Sequence, residues 1–502
     1  MKSKLYIVFS ILVVSLLAVL PASAGISGPG VSGVQIQNLS TTDAANVVVQ
    51  LWNQNSSGAV TISGTSGDTI SQSAAKNYYL PNFTSVADGS YAMVVSSDKP
   101  VAAIARTDWS STGGAAIYSS IEPGTDVTIP LITANYGGQT SQFSIQNTNT
   151  TSSISDVKIT LNGRGLSTPV VTLNGQTIGA GTSKTYSMAD AIWGTLPNTA
   201  LDLGLTGFVG SVRIQSSTTL VIQSFIDISG SRGVTGFTGI PTNSASTTVF
   251  CPLIRANYYG DTGISIVNPN GSDATVTITF FPDAGSPVKG GPYTQTVVAG
   301  ANSSGMAFQG PTGNSRTAGL PWGSGQSSSN PTPTNNGFYG VAKLQSTLPV
   351  LAVVNDTKFG TSWSVQSQTS YNCMTLSNAG NTFALPLVRR YHTSTTKLTT
   401  GIQIQNTSGS DVTVTLEIYN WDGTRQAASD PVSITIPPNG SGNFWNGNLK
   451  NLPTVPPSAG GSGWYGSAIL KATGGAVVVV VADEGYGSKA VDSANYEGLR
   501  MP

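Results

Sequence analysis

An all-β chain of four tandem immunoglobulin-like β-sandwich modules is predicted by three features of the sequence. Short runs alternate apolar and polar residues, turn signals fall every 8–12 residues, and one segment recurs four times. The recurring segment is a strand that reads Gly33-Val-Gln-Ile-Gln-Asn38, Gln142-Phe-Ser-Ile-Gln-Asn147, Gly263-Ile-Ser-Ile-Val-Asn268 and Gly401-Ile-Gln-Ile-Gln-Asn406. Each copy runs into a polar turn that ends in Asp43, Asp156, Asp273 or Asp411. A second alternating run follows, such as Ala274 to Phe280 or Val412 to Tyr419. Period-2 alternation of this kind marks a strand with one buried face.

The back half of each module repeats as well. Copies two to four share an aromatic-x-Gly entry at Phe208-Val-Gly210, Phe338-Tyr-Gly340 and Trp464-Tyr-Gly466. A strand, a short turn and a nearly continuous apolar strand come next, the last ending at Asp108, Asp227, Asp356 or Asp483. Continuous β-branched runs predict strands covered on both faces. A polar stretch carrying Tyr118, Phe237, Tyr371 or Tyr496 closes each module, for about seven strands in all. Helical period is nearly absent; Ser187 to Leu196 is the one candidate for a helical turn, and Gly310 to Asn336 reads as an exposed loop.

The expected division is residues 1–24 as export leader, then modules over 25–124, 125–245, 246–379 and 380–502. Lys2 and Lys4 precede an almost wholly apolar run from Leu5 to Leu20, and Pro21-Ala-Ser-Ala24 supplies a small-x-small cleavage site. Mature protein is thus expected to begin at Gly25, outside the cell, with no membrane span of its own. Copies two to four open with a short strand, Ile129-Pro-Leu-Ile132, Cys251-Pro-Leu-Ile254 or Leu385-Pro-Leu-Val388. Copy one has only the glycine- and proline-rich Gly25 to Gly30. Its sandwich is expected either to leave an edge open to head-to-tail strand addition, or to cover it with residues 25–31 or a long loop.

Composition narrows function. Charged residues make up 9% of the chain against about 25% in ordinary soluble proteins, and 23 basic residues balance 23 acidic ones. With no basic patch to neutralise phosphate, nucleic acid is excluded as a partner. A neutral, charge-poor surface lacks the repulsion that keeps proteins apart and favours self-association.

Catalytic machinery is hard to find. His392 is the single histidine, so no His-rich metal site is available and any Ser-His-Asp triad would hang on that residue. The four glutamates, Glu122, Glu417, Glu484 and Glu497, are scattered. A non-enzymatic chain without cofactor is therefore expected. Asp43, Asp156, Asp273 and Asp411 are weak calcium candidates; turn closure through backbone N–H groups is the stronger reading, since each turn offers one acid rather than the dense spacing of calcium loops. Cys251, on the first strand of one module of an exported chain, and Cys373, near its last, predict an intradomain disulfide, with two buried thiols as the alternative. The eight tryptophans show no coplanar set of the kind that stacks on sugars.

In architecture the repeats over residues 25–502 resemble the tandem β-sandwich proteins of microbial cell surfaces, surface layers and sheaths. The resemblance implies an extracellular structural protein of a layer, sheath or filament that associates with itself. An adhesin or glycan-binding protein that contacts cell-wall polysaccharide is the alternative.

Overall fold

Alternation along the sequence becomes alternation of burial. In Ala45–Asn53, Ala274–Pro282 and Val412–Asn420 every second residue is buried, among them Val49, Leu51, Ile278, Phe280, Leu416 and Ile418. Each such side chain contributes about 1.5–3 kcal/mol relative to exposure. The computed structural model describes residues 12–18, 30–54, 58–64, 66–109, 114–119, 122–200, 205–228, 233–309, 336–359, 365–392, 398–426, 432–445, 463–484 and 493–501. Over these the chain is all-β, built of separate antiparallel sheets, and its only helical pieces are short 3-10 turns such as Ala191–Trp193, inside the candidate stretch. The loop read over Gly310 to Asn336 lies outside the described residues except for Asn336.

Module two shows the plan. One sheet orders Pro169–Ile178, Ile154–Gly163, the first half of Phe208–Ile228, and Gly124–Ala134; the facing sheet orders Ser183–Ser187, Gln139–Asn147, the second half of Phe208–Ile228, and Val234–Thr238. Besides the two-residue strand Ile240–Pro241 on the outer edge of Gly124–Ala134, that makes eight strands where the sequence suggested about seven. The addition is Ser183–Ser187, matched by Ala75–Tyr79, Ser303–Phe308 and Ser441–Phe444, strands too polar to stand out by pattern.

The expected turn between the last two long strands exists only in modules one and four. Val101–Trp109 follows a break at Asp98 to Pro100, and Val477–Glu484 follows Gly474 at φ 91°. In modules two and three a single strand, Phe208–Ile228 or Phe338–Phe359, passes from one sheet to the other. A shift in register where Gly124 pairs with Leu220 but Asp126 with Gln215 carries it across. The aromatic-x-Gly glycine is explained by packing. A Cβ on Gly210, Gly340 or Gly466 would overlap the carbonyl of Asn162, Phe281 or Tyr419 on the adjacent strand.

The modules do not follow one another as beads. The closing strands Gly114–Ser119, Val234–Thr238, Val365–Asn372 and Ala494–Glu497 each pack against the next, and the fourth against the first, so the four sandwiches close into a ring around a common axis. The four junctions are alike. The turn after the second alternating strand of one module meets the short added strand of the next. Arg164 and Gly163 meet Met306 and Ser303, Asp283 meets Ser441 at 2.7 Å, the Trp421 carbonyl accepts from Ala75 N–H at 3.2 Å, and Gln54 Oε1 accepts from Thr185 Oγ1 at 3.4 Å.

Opening strands sit inside these junctions. Gly124–Ala134, Ser246–Ala256 and Thr382–Arg390 are buried along most of their length, between their own sandwich and the following module. Ser265 Oγ of module three donates to the Pro130 carbonyl at 3.0 Å, and Gln35 Nε2 of module one to the Pro386 carbonyl at 2.5 Å. Each Pro-Leu step is a register shift, and the freed Leu253 and Leu387 groups bond the hydroxyls of Tyr371 and Tyr496.

Module one corrects an expectation. Residues 30 and 31 belong to its first strand, Gly30–Asn38, and do not cover the edge. That edge, Tyr91–Ser97, is paired antiparallel along its whole length by Leu12–Ala18, from the apolar run read as an export leader.

Candidate functional site

On the ring axis, the residue after each recurring aromatic faces its counterparts from the other modules. Tyr118, Phe237, Tyr371 and Tyr496 are buried in their own sandwiches; Ser119, Thr238, Asn372 and Glu497 follow them. Asn372 N–H donates to Glu497 Oε1 at 2.6 Å, and Ser119 Oγ donates to Oε2 at 3.3 Å. Asn372 Nδ2 donates to the Thr238 hydroxyl at 2.8 Å and to its carbonyl at 3.0 Å. One hydrogen-bonded chain therefore touches all four modules. Burial pushes the Glu497 carboxyl above the usual carboxylate range, against the hydrogen bonds from Asn372 and Ser119. Beside this network lies a cavity of about 230 Å³, walled also by Met374, Leu499 and Arg500.

A second cleft, of about 420 Å³, lies where module four meets module one. Trp421, 45% exposed, Asp422 and Tyr465 face Gln35, Lys76 and Asn77 across it. An exposed aromatic ring beside amide and carboxylate groups can stack on and hydrogen-bond a polyhydroxylated ligand.

The weak calcium candidates are spread one to a module. Asp43 bonds Thr42 and lies 3.6 Å from Lys99; Asp156 accepts from Ser216 Oγ and Ser217 N–H, both at 2.9 Å; Asp273 accepts from Ala301 N–H at 2.9 Å; Asp411 is exposed. The Ser217 bonds hold the Asp156 carboxyl below its ordinary value. Among the described residues no three His, Cys, Asp or Glu side chains gather as a metal site. Cys251 and Cys373 are disulfide-bonded.

What pins each first turn is the asparagine that ends the first strand. Asn38, Asn147, Asn268 and Asn406 are fully buried. Asn268 Nδ2 reaches the carbonyls of Ser272, Ala299 and Gly300 at 2.7, 3.0 and 3.1 Å, while its Oδ1 accepts Asn270 N–H at 3.0 Å. Asn406 repeats the set with Ser410, Ile436, Pro437 and Ser408, and Asn38 and Asn147 do likewise. The repeat of this residue at one position was the available signal; its chemistry is structural.

The second recurring aspartates lie within strands rather than in turns. Asp108 pairs with Arg106 at 2.6 Å, and Asp356 with Arg255 at 3.5 Å, both arginines reaching from extended backbone. Near the second pair, Asp261 accepts Asn257 N–H at 2.7 Å, and burial pushes its carboxyl up to about 8. The side chain of Asp483 lies outside the described residues. His392 is bridged to Leu398 and packs edge-on against Tyr465, with ring centroids 4.8 Å apart. Glu417 pairs with Lys471 and Arg425; Glu122, exposed, and Glu497 both line the axial cavity; and the side chain of Glu484 lies outside the described residues. Trp464, Trp193 and Trp109 are core; Trp421 and Trp445 are exposed; Trp322 and Trp363 lie outside the described residues.

No family model matches the chain, and no curated protein does. Among solved structures, a protein of Thermotoga maritima is 15% identical over 26% of this chain and 94% of its own, at a TM-score of 0.19. The B domain of a biofilm-associated protein is 11% identical, covering 79% of this chain and 80% of that one, at a TM-score of 0.15. The BSP domain of a biofilm-associated protein is 9% identical over 96% and 91%, also at 0.15. Likenesses of this size assign no family.

Proposed function

We propose that this is an exported, non-enzymatic structural protein of an extracellular layer, sheath or filament, with the four-module ring as its rigid building block. The closure of the ring within one chain carries this reading. Each module spends its lateral faces on its neighbours, giving a single stiff unit whose outer surface holds few charges. Such a surface packs against copies of itself with little repulsion to overcome. No metal or organic cofactor enters the reading. Calcium is tested separately, by melting the protein with and without a chelator; a midpoint that falls on chelation would reinstate the four turn aspartates as ligands. Electron microscopy of purified 25–502 protein tests the main proposal. Ordered arrays or filaments are expected, and rings that stay dispersed at high concentration would count against it.

The cleft at Trp421 favours a second reading, a surface protein that holds polysaccharide. That reading requires saturable binding of a cell-wall glycan, abolished by Trp421→Ala while ring assembly is retained.

A further inference from the structure

The edge of module one has a consequence for the exported chain. We propose that, once the leader is removed, the groove between Tyr91–Ser97 and module two is an acceptor for an extended, uncharged, apolar strand supplied by another polypeptide.

The groove is defined by its present occupant and by three equivalents. Leu12–Ala18, Leu-Val-Val-Ser-Leu-Leu-Ala, pairs residue for residue with Tyr91–Ser97, from Leu12 opposite Ser97 to Ala18 opposite Tyr91, and also touches the long strand Phe208–Ile228 of module two. The corresponding strands of the other modules occupy the same place, buried between two sandwiches and uncharged at their centres: Ile129-Pro-Leu-Ile132, Cys251-Pro-Leu-Ile254 and Leu385-Pro-Leu-Val388. The place thus takes one strand of one chemistry. Emptied, it would expose the unpaired N–H and C=O groups of Tyr91–Ser97 along with the apolar interior beneath, the arrangement most prone to capture a strand.

The mature chain cannot refill it from its own N-terminus. Cleavage after Ala24 leaves five residues, Gly-Ile-Ser-Gly-Pro, before the first strand begins at Gly30. Extended, they span about 17 Å. The present path uses a seven-residue strand and eleven further residues, 19–29, to return from Ala18 to Gly30. Pro29 also lacks an N–H for pairing. The stretches outside the described residues of the mature chain supply no substitute. The two longest, 310–335 and 446–462, are rich in Gly, Ser, Pro and Asn and contain no uncharged apolar run of seven residues. The donor is therefore a separate polypeptide, recognised by backbone pairing and by apolar side chains on both faces.

This inference depends on leader removal and not on the layer reading, and a strand-binding assay separates the two. The probe is a synthetic peptide of residues 127–134, Val-Thr-Ile-Pro-Leu-Ile-Thr-Ala, carrying a fluorophore. Saturable one-to-one binding to 25–502 protein is expected, with a rise in its melting temperature. The same peptide with Ile129→Asp and Leu131→Asp should bind at least tenfold more weakly. A chain with this strand fused ahead of Gly25 through a glycine-serine linker should bind no peptide and melt above the unfused chain. If 25–502 protein does not fold alone, refolding with the peptide should restore it, and failure to do so would overturn the proposal. So would absence of binding with equal melting of fused and unfused chains, or an exported protein whose N-terminal sequence still includes Leu12–Ala18.

Discussion

Asn372 N–H and Glu497 Oε1 meet at 2.6 Å, although the two residues sit at equivalent positions of different modules, each directly after the buried tyrosine of a closing strand. Four identical modules would place four identical side chains on the axis, where a ring of like carboxylates could not ionise together. This chain places Ser, Thr, Asn and Glu there, and the single carboxylate takes donors from modules one and three. Such asymmetry gives each module its own partners on the axis, with Glu497 held by Ser119 and Asn372, and Asn372 by Thr238. Glu497→Ala should leave the Asn372 and Ser119 donors unpartnered and lower stability by about 2–4 kcal/mol in denaturant titration. Glu497→Gln keeps an acceptor and should cost less than half as much. Equal losses would show that the carboxylate is merely filling space.

Acid should stabilise the ring through Asp261. Its folded carboxyl titrates at about 8, against an ordinary value of 3.8, chiefly because burial disfavours the charge; the nearby Asp356 carboxylate adds to the rise. The folded state therefore binds this proton more tightly than the unfolded chain. Its contribution is complete below pH 3.8 and is lost as pH rises through about 8. Glu497, raised in the same direction by burial, adds to the slope. Melting temperature should fall between pH 5 and pH 8.5, and Asp261→Asn should remove most of that fall. A slope unchanged in the Asn variant would place the titrating group elsewhere.

The asparagine pins predict a loss that recurs in every module. Asn268→Ala removes three donor contacts and two accepted hydrogen bonds at a fully buried position, leaving the Ala299 carbonyl without that partner. A loss of about 2–4 kcal/mol is expected, and Asn268→Asp should do no better, since a carboxylate cannot donate to three carbonyls. Asn147→Ala and Asn406→Ala should match it in urea titration. A negligible effect at all three would mean that backbone pairing alone holds these turns.

How much of this was legible follows from the range of the interactions. Strands with one wet face announce themselves through period 2, and so Ala274–Pro282 and Val412–Asn420 could be read directly. The turn asparagines are visible as a repeat, but an Asn in a polar turn gives no hint in sequence that it is buried. Ring closure had no comparable signal. Its junctions rest on backbone carbonyls such as Pro130 and Pro386 and on small polar groups such as Ser265, which look the same in sequence whether they face water or a neighbouring module. The axial residues were harder still, because Ser119, Thr238, Asn372 and Glu497 share a position but no chemistry. The one available hint was the polar residue after each closing aromatic. The leader run, in turn, reads as an export signal by composition, and nothing in its pattern distinguishes that from a strand.

The disulfide joins these themes, because Cys373 adjoins Asn372. The bridge ties the opening strand of module three, at Cys251, to the chain just beyond its axial strand, across a sequence separation of 122. Closing a loop of that length is worth about 4–5 kcal/mol in the chain-entropy model. Reduction, or Cys251→Ala with Cys373→Ala, should therefore lower the melting temperature by several degrees. It should also loosen Asn372, and with it the bonds to Glu497 and Thr238. Coupling between the bridge and the axis follows. In the reduced protein Glu497→Ala should cost distinctly less than in the oxidised one, because its partner is no longer held in place. A full two-by-two comparison by urea titration measures the coupling. Additive losses would show that the bridge stabilises module three alone and leaves the axis to hold itself.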